Sequence, residues 1–242
     1  MKKIILVFLI LTFICTVYAF DELWQKAQEI AENSWRLVPG QTTMQISFRE
    51  GRNEMRNMGF TARISHTLNE DNTIYSTLLS LENRGDTSSD EEEPDIEELS
   101  ELREFRDLLE AMSKDMIPTR EGMFFETDTR NIRVRRQNQT RRIGRRQCQA
   151  FEVRYSPSGR RSERIEGTVW LEIDTGVPVL AEMQIPMLNE RRSSNVSYGY
   201  DAATNQYFTS RVEDTSTQTF YEVNYSVVGV LTYENYWEFP VE

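Results

Sequence analysis

The sequence predicts an α+β protein in which one large antiparallel sheet carries an N-terminal helix and one long inserted helix. Most of the chain alternates apolar and polar residues with a period of two, which is typical of strands. Two segments instead place apolar residues at spacings of three and four, as helices do. The strand patterns follow one another at hairpin-scale distances without intervening helices, and this spacing favours antiparallel pairing.

The first 19 residues have the features of a signal peptide. Lys2 and Lys3 precede an apolar run, and Val17-Tyr18-Ala19 is a small-residue cleavage site before Phe20. A transmembrane anchor is the alternative, but the run is short and no basic cluster follows it. We expect cleavage near Ala19/Phe20 and a mature protein in a periplasm or outside a cell. Cys148 is then its one cysteine, so no intramolecular disulfide forms.

The elements after the signal peptide can be placed in order. Residues 21–36 form an amphipathic helix that Pro39-Gly40 ends. An acidic loop and a second amphipathic helix form an insertion at about 86–117, with Pro94 in the first turn and Pro118 beyond the end. Strands are expected at 44–48, 60–68, 73–81, 123–127, 131–137, 147–155, 164–173, 178–186, 194–201, 206–213, 217–228 and 231–239.

The segment Gly167–Pro186 is the most regularly patterned part of the chain. Val169, Leu171 and Ile173 alternate with polar or aromatic residues, Asp174-Thr175-Gly176 supplies a turn, and a second apolar-faced strand returns. This pattern predicts a β-hairpin with one apolar side. That side either packs into an ordinary core or lines a cavity, and the pattern alone leaves both alternatives open.

The charges are unevenly distributed along a chain whose formal net charge is −11. Residues 86–115 hold thirteen acidic side chains against three basic ones, and residues 130–164 hold twelve arginines against two acidic side chains. The arginine-rich part is a candidate site for an acidic partner or anionic headgroups, and the alternative is a solvated sheet face. The candidate residues are Arg133, Arg135, Arg141, Arg142, Arg145 and Arg146. An exported chain with net negative charge is not expected to bind nucleic acid.

Catalytic chemistry is not indicated by any motif. His66 is the one histidine, so a metal site built on several histidines is excluded. A His66–Cys148 dyad is the remaining nucleophilic arrangement, although no motif surrounds either residue. Phosphate-binding loops, nucleotide fingerprints and hydrolase elbows are missing from the sequence. We therefore expect a protein that is not an enzyme, with no catalytic residues, metal or cofactor.

The hairpin resembles that of the LolA-like outer-membrane lipoprotein-sorting proteins. The similarity rests on a Gly-Thr-x-Trp-Leu strand, a Thr-Gly-x-Pro turn and a returning apolar strand, over about residues 143–186. The matching positions are Gly167, Thr168, Trp170, Leu171, Thr175, Gly176 and Pro178. The resemblance implies that residues 20–242 form a single half-barrel domain. Its strongly curved sheet would be an incomplete barrel whose concave face the two helices cover.

This resemblance implies a non-enzymatic carrier or binding protein for lipid or lipoprotein acyl chains in the bacterial envelope. Burial of each CH₂ contributes roughly 0.8 kcal/mol, so an apolar cavity is sufficient for binding. The implied lining is Met44, Ile46, Phe48, Phe60, Ala62, Ile64, Phe151, Val153, Val169, Leu171, Ile173, Val179, Met183 and Ile185, with Leu102, Phe105, Leu109 and Met112 on the covering helix. If this face is open, Leu171→Glu abolishes lipid uptake and leaves the protein folded.

The alternative function is an envelope protein-interaction or sensor module that uses the same fold without a bound lipid. In that case the helices fill the concave face, and edge strands and charged patches contact the partner. Under either hypothesis we expect a monomer, and peripheral contact with a membrane is compatible with both.

Overall fold

The computed structural model describes residues 21–50, 53–83, 103–104, 106–112, 122–157, 164–186, 191–220 and 223–240. The predicted signal peptide, and Leu102 and Phe105 of the inserted helix, lie outside these residues. The described part contains helix α1 (Glu22–Ser34) and helical residues at 103–104 and 106–112. Its strands are β1 (Leu37–Val38), β2 (Gln41–Glu50), β3 (Asn53–Leu68), β4 (Ile74–Asn83), β5 (Ile132–Ile143), β6 (Arg146–Tyr155), β7 (Ile165–Glu172), β8 (Pro178–Pro186), β9 (Arg191–Asp201), β10 (Gln206–Phe220), β11 (Val223–Glu234) and β12 (Trp237–Glu238).

Helix α1 forms where the sequence predicts it. The Asp21 side chain caps its first turn by accepting a hydrogen bond from the Leu23 backbone N–H at 2.9 Å. Its buried residues recur at spacings of three and four, which gives the helix one apolar face. Those residues are Leu23, Trp24, Ala27, Ile30, Ala31 and Ser34.

Ten strands of the described chain form one antiparallel sheet, in the order β4-β3-β2-β11-β10-β9-β8-β7-β6-β5. Strands β1 and β12 pair separately and antiparallel. Because β2 pairs with β11, an N-terminal and a C-terminal strand of the described chain lie side by side inside the sheet. Strands β4 and β5 stand at its two edges, so the sheet does not close. The predicted fold class, an antiparallel sheet with helices and an incomplete barrel, is therefore confirmed.

The sheet curves around α1. The core cluster on this helix contains side chains from β5 to β10, six neighbouring strands. Strands are spaced about 4.8 Å apart, so a flat sheet of six would be about 24 Å wide. A helix with its side chains is only about 10–12 Å across. Six strands can share one core with a single helix only if the sheet wraps around it.

The inserted helix covers the other half of the concave face. Leu109 is buried in a second apolar cluster with Met44 of β2 and Ala62 and Ile64 of β3. Met112, one helical turn on, packs against the same cluster. The concave face is thus divided between α1 over β5–β10 and the inserted helix over β2–β3.

Three expectations about strands are wrong. The break expected between residues 228 and 231 is missing, because β11 runs without interruption from Val223 to Glu234. Residues 123–127 form a turn in which the Phe125 N–H bonds to the Gly122 carbonyl at 3.1 Å, and Phe124 stacks on Trp24. The apolar residues of this turn pack in the core beneath α1. The break expected after residue 213 is also missing, because β10 continues through Asp214 to Phe220. Asp214 is a poor strand former, but it pairs with Arg192 of β9 at 2.7 Å.

Candidate functional site

The apolar side of the β7–β8 hairpin is core. Val169 pairs with Ala181 across the two strands, and both are fully buried. They share a cluster with Leu171 and Met183 of the hairpin and with Trp24 of α1. Helix α1 therefore fills the space in front of the hairpin and leaves no room for a ligand there.

The turn of the hairpin packs closely against α1. Gly176 has φ of 80°, and its N–H donates to the Glu172 carbonyl at 2.9 Å. A Cβ atom at this position would lie 2.6 Å from the Cβ of Lys26 on α1. Val177 and Pro178 follow and are buried. The Thr-Gly-x-Pro turn thus combines a left-handed backbone with close approach to a helix, and only glycine satisfies both requirements.

Replacing Gly176 with alanine is expected to lower the free energy of unfolding by about 2–4 kcal/mol, because backbone strain and a clash add together. Gly144 is the matched control: it also has positive φ, at 59°, but its Cβ would meet nothing within 4 Å. Gly144→Ala should cost only about 1 kcal/mol of strain. Urea unfolding followed by circular dichroism measures both. Equal losses for the two variants would contradict the assigned contact with α1.

The aromatic residue of the hairpin motif has a different role. Trp170 lies on the opposite, convex face of β7, where its indole N–H donates to Glu182 at 2.7 Å. The guanidinium of Arg141 lies 4.2 Å from the centre of its ring and also bonds to Glu182 at 3.1 Å. Cys148, Ala150 and Trp170 form a small apolar cluster on that face. Trp170 thus joins β5, β7 and β8 on the outside of the sheet.

The predicted lining residues separate by exposure. Under α1, Phe151, Val153, Val169, Leu171 and Met183 are buried in the core cluster. Met44, Ala62, Ile64 and Leu109 are buried in the second cluster, and Val179 is buried on the convex side with Trp170. The residues that stay partly exposed are Ile46, Phe48, Phe60, Ile173 and Ile185.

An apolar cleft of about 400 Å³ lies elsewhere, between the C-terminal end of α1 and strands β9 to β11. Its described walls are mainly aliphatic and aromatic, and they contain none of the lining residues predicted from the sequence. They consist of Ala31, Ser34, Trp35, Leu37, Pro39, Phe125, Val196, Tyr207, Phe208, Thr209, Val212, Tyr233 and Tyr236. This volume falls in the range of small-molecule sites, about 300–1,000 Å³.

The tyrosines of the cleft are neutral hydrogen-bonding groups. Burial raises the pKa values of Tyr207 and Tyr236 above that of a free phenol. Burial, together with the negative charge of Asp214, raises the pKa of Tyr233 to about 12. The Tyr236 hydroxyl donates to the backbone carbonyl of Thr209, which fixes the chain after β11 against β10. The cleft therefore combines apolar walls with uncharged hydroxyls.

The packing at one end of the cleft holds it in shape. The Ser34 hydroxyl donates to the Ile30 carbonyl at 2.8 Å and accepts from the Tyr207 N–H at 2.9 Å. It thereby ties the last turn of α1 to β10. Tyr207 also meets Tyr198 of β9 edge-on, with ring centres 5.5 Å apart. These contacts order the walls before any ligand is present.

The sequence pattern did not single out the cleft, because its described walls come from five separate segments. Trp35 lies just beyond α1, Tyr233 belongs to β11, and Tyr236 follows that strand in the tyrosine-rich C-terminal part of the chain. The one available signal was the concentration of tyrosine there. Aromatic residues with one polar end are common in binding sites.

The predicted anionic-partner arginines fall into three groups. Arg133 and Arg135 lie exposed on edge strand β5. Arg141 is engaged by Trp170 and Glu182, while Arg146 contacts Tyr200 and lies 3.9 Å from Glu172. Arg142 and Arg145 are exposed at the β5–β6 turn. The structure therefore does not gather the six into one site.

His66 and Cys148 do not form a dyad. The ring nitrogens of His66 bond to Thr42 at 2.8 Å and Ser76 at 2.9 Å, which links β2, β3 and β4. Burial lowers the pKa of His66 to about 4, so the ring is neutral at pH 7. Cys148 is buried in the convex cluster with its thiol toward the Arg146 carbonyl. Both side chains are structural.

No group of three or more His, Cys, Asp or Glu side chains in the part of the chain that the structure describes is placed to hold a metal ion. None of the helices in the same part is long and apolar enough to cross a membrane.

Comparisons with known proteins found structural matches. No family model and no curated protein matches the sequence. A LolA superfamily protein from Nitrosomonas europaea is 11% identical over 91% of this chain and 93% of its own, with a TM-score of 0.39. A putative outer membrane lipoprotein-sorting protein domain from Vibrio parahaemolyticus is 9% identical over 89% and 91%, with a TM-score of 0.41. A chain of the Pseudomonas aeruginosa MucA/MucB complex is 9% identical over 91% and 100%, with a TM-score of 0.26.

Proposed function

We propose that this chain is an exported, non-enzymatic binding protein or carrier that holds one acyl chain in the cleft between α1 and β9–β11. The cleft itself carries the proposal. Its described walls are mainly apolar, it has the volume of a ligand site, and its polar side chains carry hydroxyls. No charged side chain belongs to these walls, which suits an uncharged apolar chain.

The binding free energy would come from burial of the chain. Each CH₂ removed from water contributes roughly 0.8 kcal/mol, and the walls of the cleft are already ordered. The neutral hydroxyls of Tyr207 and Tyr233 can donate to an ester or amide carbonyl without requiring a charge. An acyl group attached to a lipid or a lipoprotein meets these requirements.

Export to the bacterial envelope is part of the proposal. It is supported by the signal-peptide pattern of residues 1–19 and by the resemblance of the Gly167–Pro186 hairpin to LolA-like sorting proteins. We propose that residues 20–242 act as one monomeric domain. The proposed binding residues are therefore those of the cleft. They replace the residues of the hairpin face, which packs against α1.

A chain-length series tests this function. A fluorescent fatty acid is displaced from the purified mature protein by carboxylates of six to sixteen carbons. Affinity should rise by about tenfold for every two carbons until the cleft is full, because two CH₂ groups contribute roughly 1.6 kcal/mol. The matched control is the α,ω-diacid of each length, which should bind at least tenfold more weakly because one end would bury a charge. Affinities independent of chain length would contradict the proposal.

The second candidate function, a protein-interaction module, has one observation in its favour. Strand β5 stands at an open edge of the sheet and is lined with arginine. Both functions can operate on one molecule, because this edge and the cleft are built from different strands.

A further inference from the structure

Among the residues that the structure describes, no strand pairs with the outer edge of β5, and its outward backbone groups are unpaired there. Asn131 accepts a hydrogen bond from the Ser156 N–H at 2.8 Å, immediately before the paired residues Ile132 and Tyr155. In an antiparallel pair, residues alternate between those that bond to the neighbour and those that face away. The odd-numbered residues of β5 therefore bond to β6. The N–H and C=O groups of Val134 and the N–H of Arg136 point away from the sheet.

The usable part of this edge is short and defined. The register of β5 against β6 is regular from Ile132 to Arg136 and shifts before Thr140. The Gln149 side chain fills the irregular part by donating to the carbonyls of Gln137 and Gln139. Residues 132–136 thus form a straight edge that a bulge ends on one side.

Basic side chains crowd the convex face beside this edge. Ile132 is buried in the α1 core and Val134 packs against it, so Arg133 and Arg135 project to the opposite face. Arg133 stands directly across from Arg154 of β6, an unfavourable pairing of like charges. Together with Val134 and Glu152, these arginines surround a depression of about 210 Å³.

The positive charge in the depression is only partly balanced. Glu152 accepts from Arg135 at 2.5 Å and from Arg154 at 2.9 Å. The Arg135 hydrogen bond, ahead of the other effects, lowers the pKa of Glu152. Arg133 has no ion pair or hydrogen bond with any part of the chain that the structure describes. In the described lining of the depression, three guanidinium groups therefore share one carboxylate, which leaves an excess of two positive charges.

We propose that this edge binds an extended acidic segment of a partner protein, which adds to the sheet as a strand beside β5. Its backbone would pair with Val134 and Arg136, and its carboxylates would meet Arg133 and Arg135. Side chains on a strand alternate between faces, so acidic residues are needed at every second position. The residue between them would face the concave side beside Val134, where an apolar side chain fits. The recognised pattern is acidic–apolar–acidic.

The open backbone favours a polypeptide over a lipid headgroup. A phosphate or a lipid headgroup can accept from the arginines and from the outward N–H groups, but as an acceptor it leaves the outward C=O of Val134 unpaired. A strand uses both, and its alternating side chains match the spacing of Arg133 and Arg135 on one face.

Fluorescence anisotropy with a labelled, end-blocked Glu-Val-Glu-Val-Glu peptide tests this inference on the mature protein. Replacing both Arg133 and Arg135 with glutamine should weaken binding at least tenfold at low salt. The matched control removes the same charge at the turn, by replacing Arg142 and Arg145, and should leave affinity within twofold. A Glu-Glu-Glu-Val-Val peptide of identical composition should bind at least tenfold more weakly, because its carboxylates cannot all reach one face.

A backbone variant separates strand addition from simple charge attraction. Val134→Pro removes an N–H that points away from the sheet and keeps all four charges, so peptide affinity should fall at least fivefold. Circular dichroism confirms that each variant is folded, and Val134→Ala serves as the control for side-chain loss. Equal affinity for the two peptides would overturn the proposal. So would binding to phosphatidylglycerol vesicles with an affinity that Val134→Pro leaves unchanged. These results do not depend on whether the cleft binds acyl chains.

Discussion

Leu171→Ala is expected to lower the free energy of unfolding by about 3–5 kcal/mol, in the upper part of the range for a buried leucine. Leu171 is 0% exposed and lies in the cluster with Trp24 and Phe151 beneath α1. Removing its side chain would leave a cavity between two rigid elements that cannot collapse into it. Urea unfolding monitored by tryptophan fluorescence gives the value.

The control for this prediction is Leu180→Ala in the neighbouring strand of the same hairpin. Leu180 faces the convex side and is only partly buried, so its loss should cost about 1 kcal/mol. Leu171→Glu should prevent folding altogether, because it would bury an unpaired carboxylate. This expectation replaces the one made from the sequence, in which the glutamate variant stays folded. A folded Leu171→Glu protein with normal stability would show that the hairpin faces a cavity.

Val212→Trp is expected to reduce acyl-chain affinity at least thirtyfold while the protein remains folded. Val212 lines the cleft from β10 and is only partly buried, so the larger side chain can occupy the space that a ligand would use. Blocking half of the cleft removes about three to four CH₂ groups of burial, or roughly 2–3 kcal/mol. Displacement of the fluorescent fatty acid measures the change.

Val230→Trp is the matched control for this blocking variant. Val230 lies on the adjacent strand β11 opposite Glu213, whose side chain is on the face away from the cleft. The same substitution there adds an equal apolar surface outside the cleft and should change affinity by less than twofold. Equal losses in both variants would mean that the probe binds by unspecific apolar contact.

The sequence predicted the architecture well because local patterns determined it. Period-two alternation in the strands and the capped helix α1 each depend on residues close in sequence. The apolar face of the hairpin was assigned correctly for Val169 and Leu171, which lie on one side of β7. It was wrong for Val179, which lies on the convex side beyond a shift in the strand register. Periodicity identifies such a face but does not say what covers it.

Local patterns could not predict the candidate binding site, because they do not show which distant residues cover an apolar face. Whether Leu171 meets a helix or a ligand depends on Trp24, nearly 150 residues away in the chain. The described cleft walls likewise come from the end of α1 and the chain after it, the Phe125 turn, β9, β10 and the C-terminal end of β11 with the residues that follow. The Phe124 region was mispredicted because an apolar triplet can fill a core from a turn as well as from a strand. Tertiary packing decided each of these cases.

Native mass spectrometry of residues 20–242, purified after export, tests the central claim most directly. The wild type and Val212→Trp are analysed by electrospray under non-denaturing conditions. Solvent extraction of the same preparations identifies the bound molecule. We predict a wild-type species that carries one acyl-chain ligand per protein, and a Val212→Trp species that carries none. A wild-type protein that stays free of lipid after incubation with vesicles would contradict the acyl-chain function.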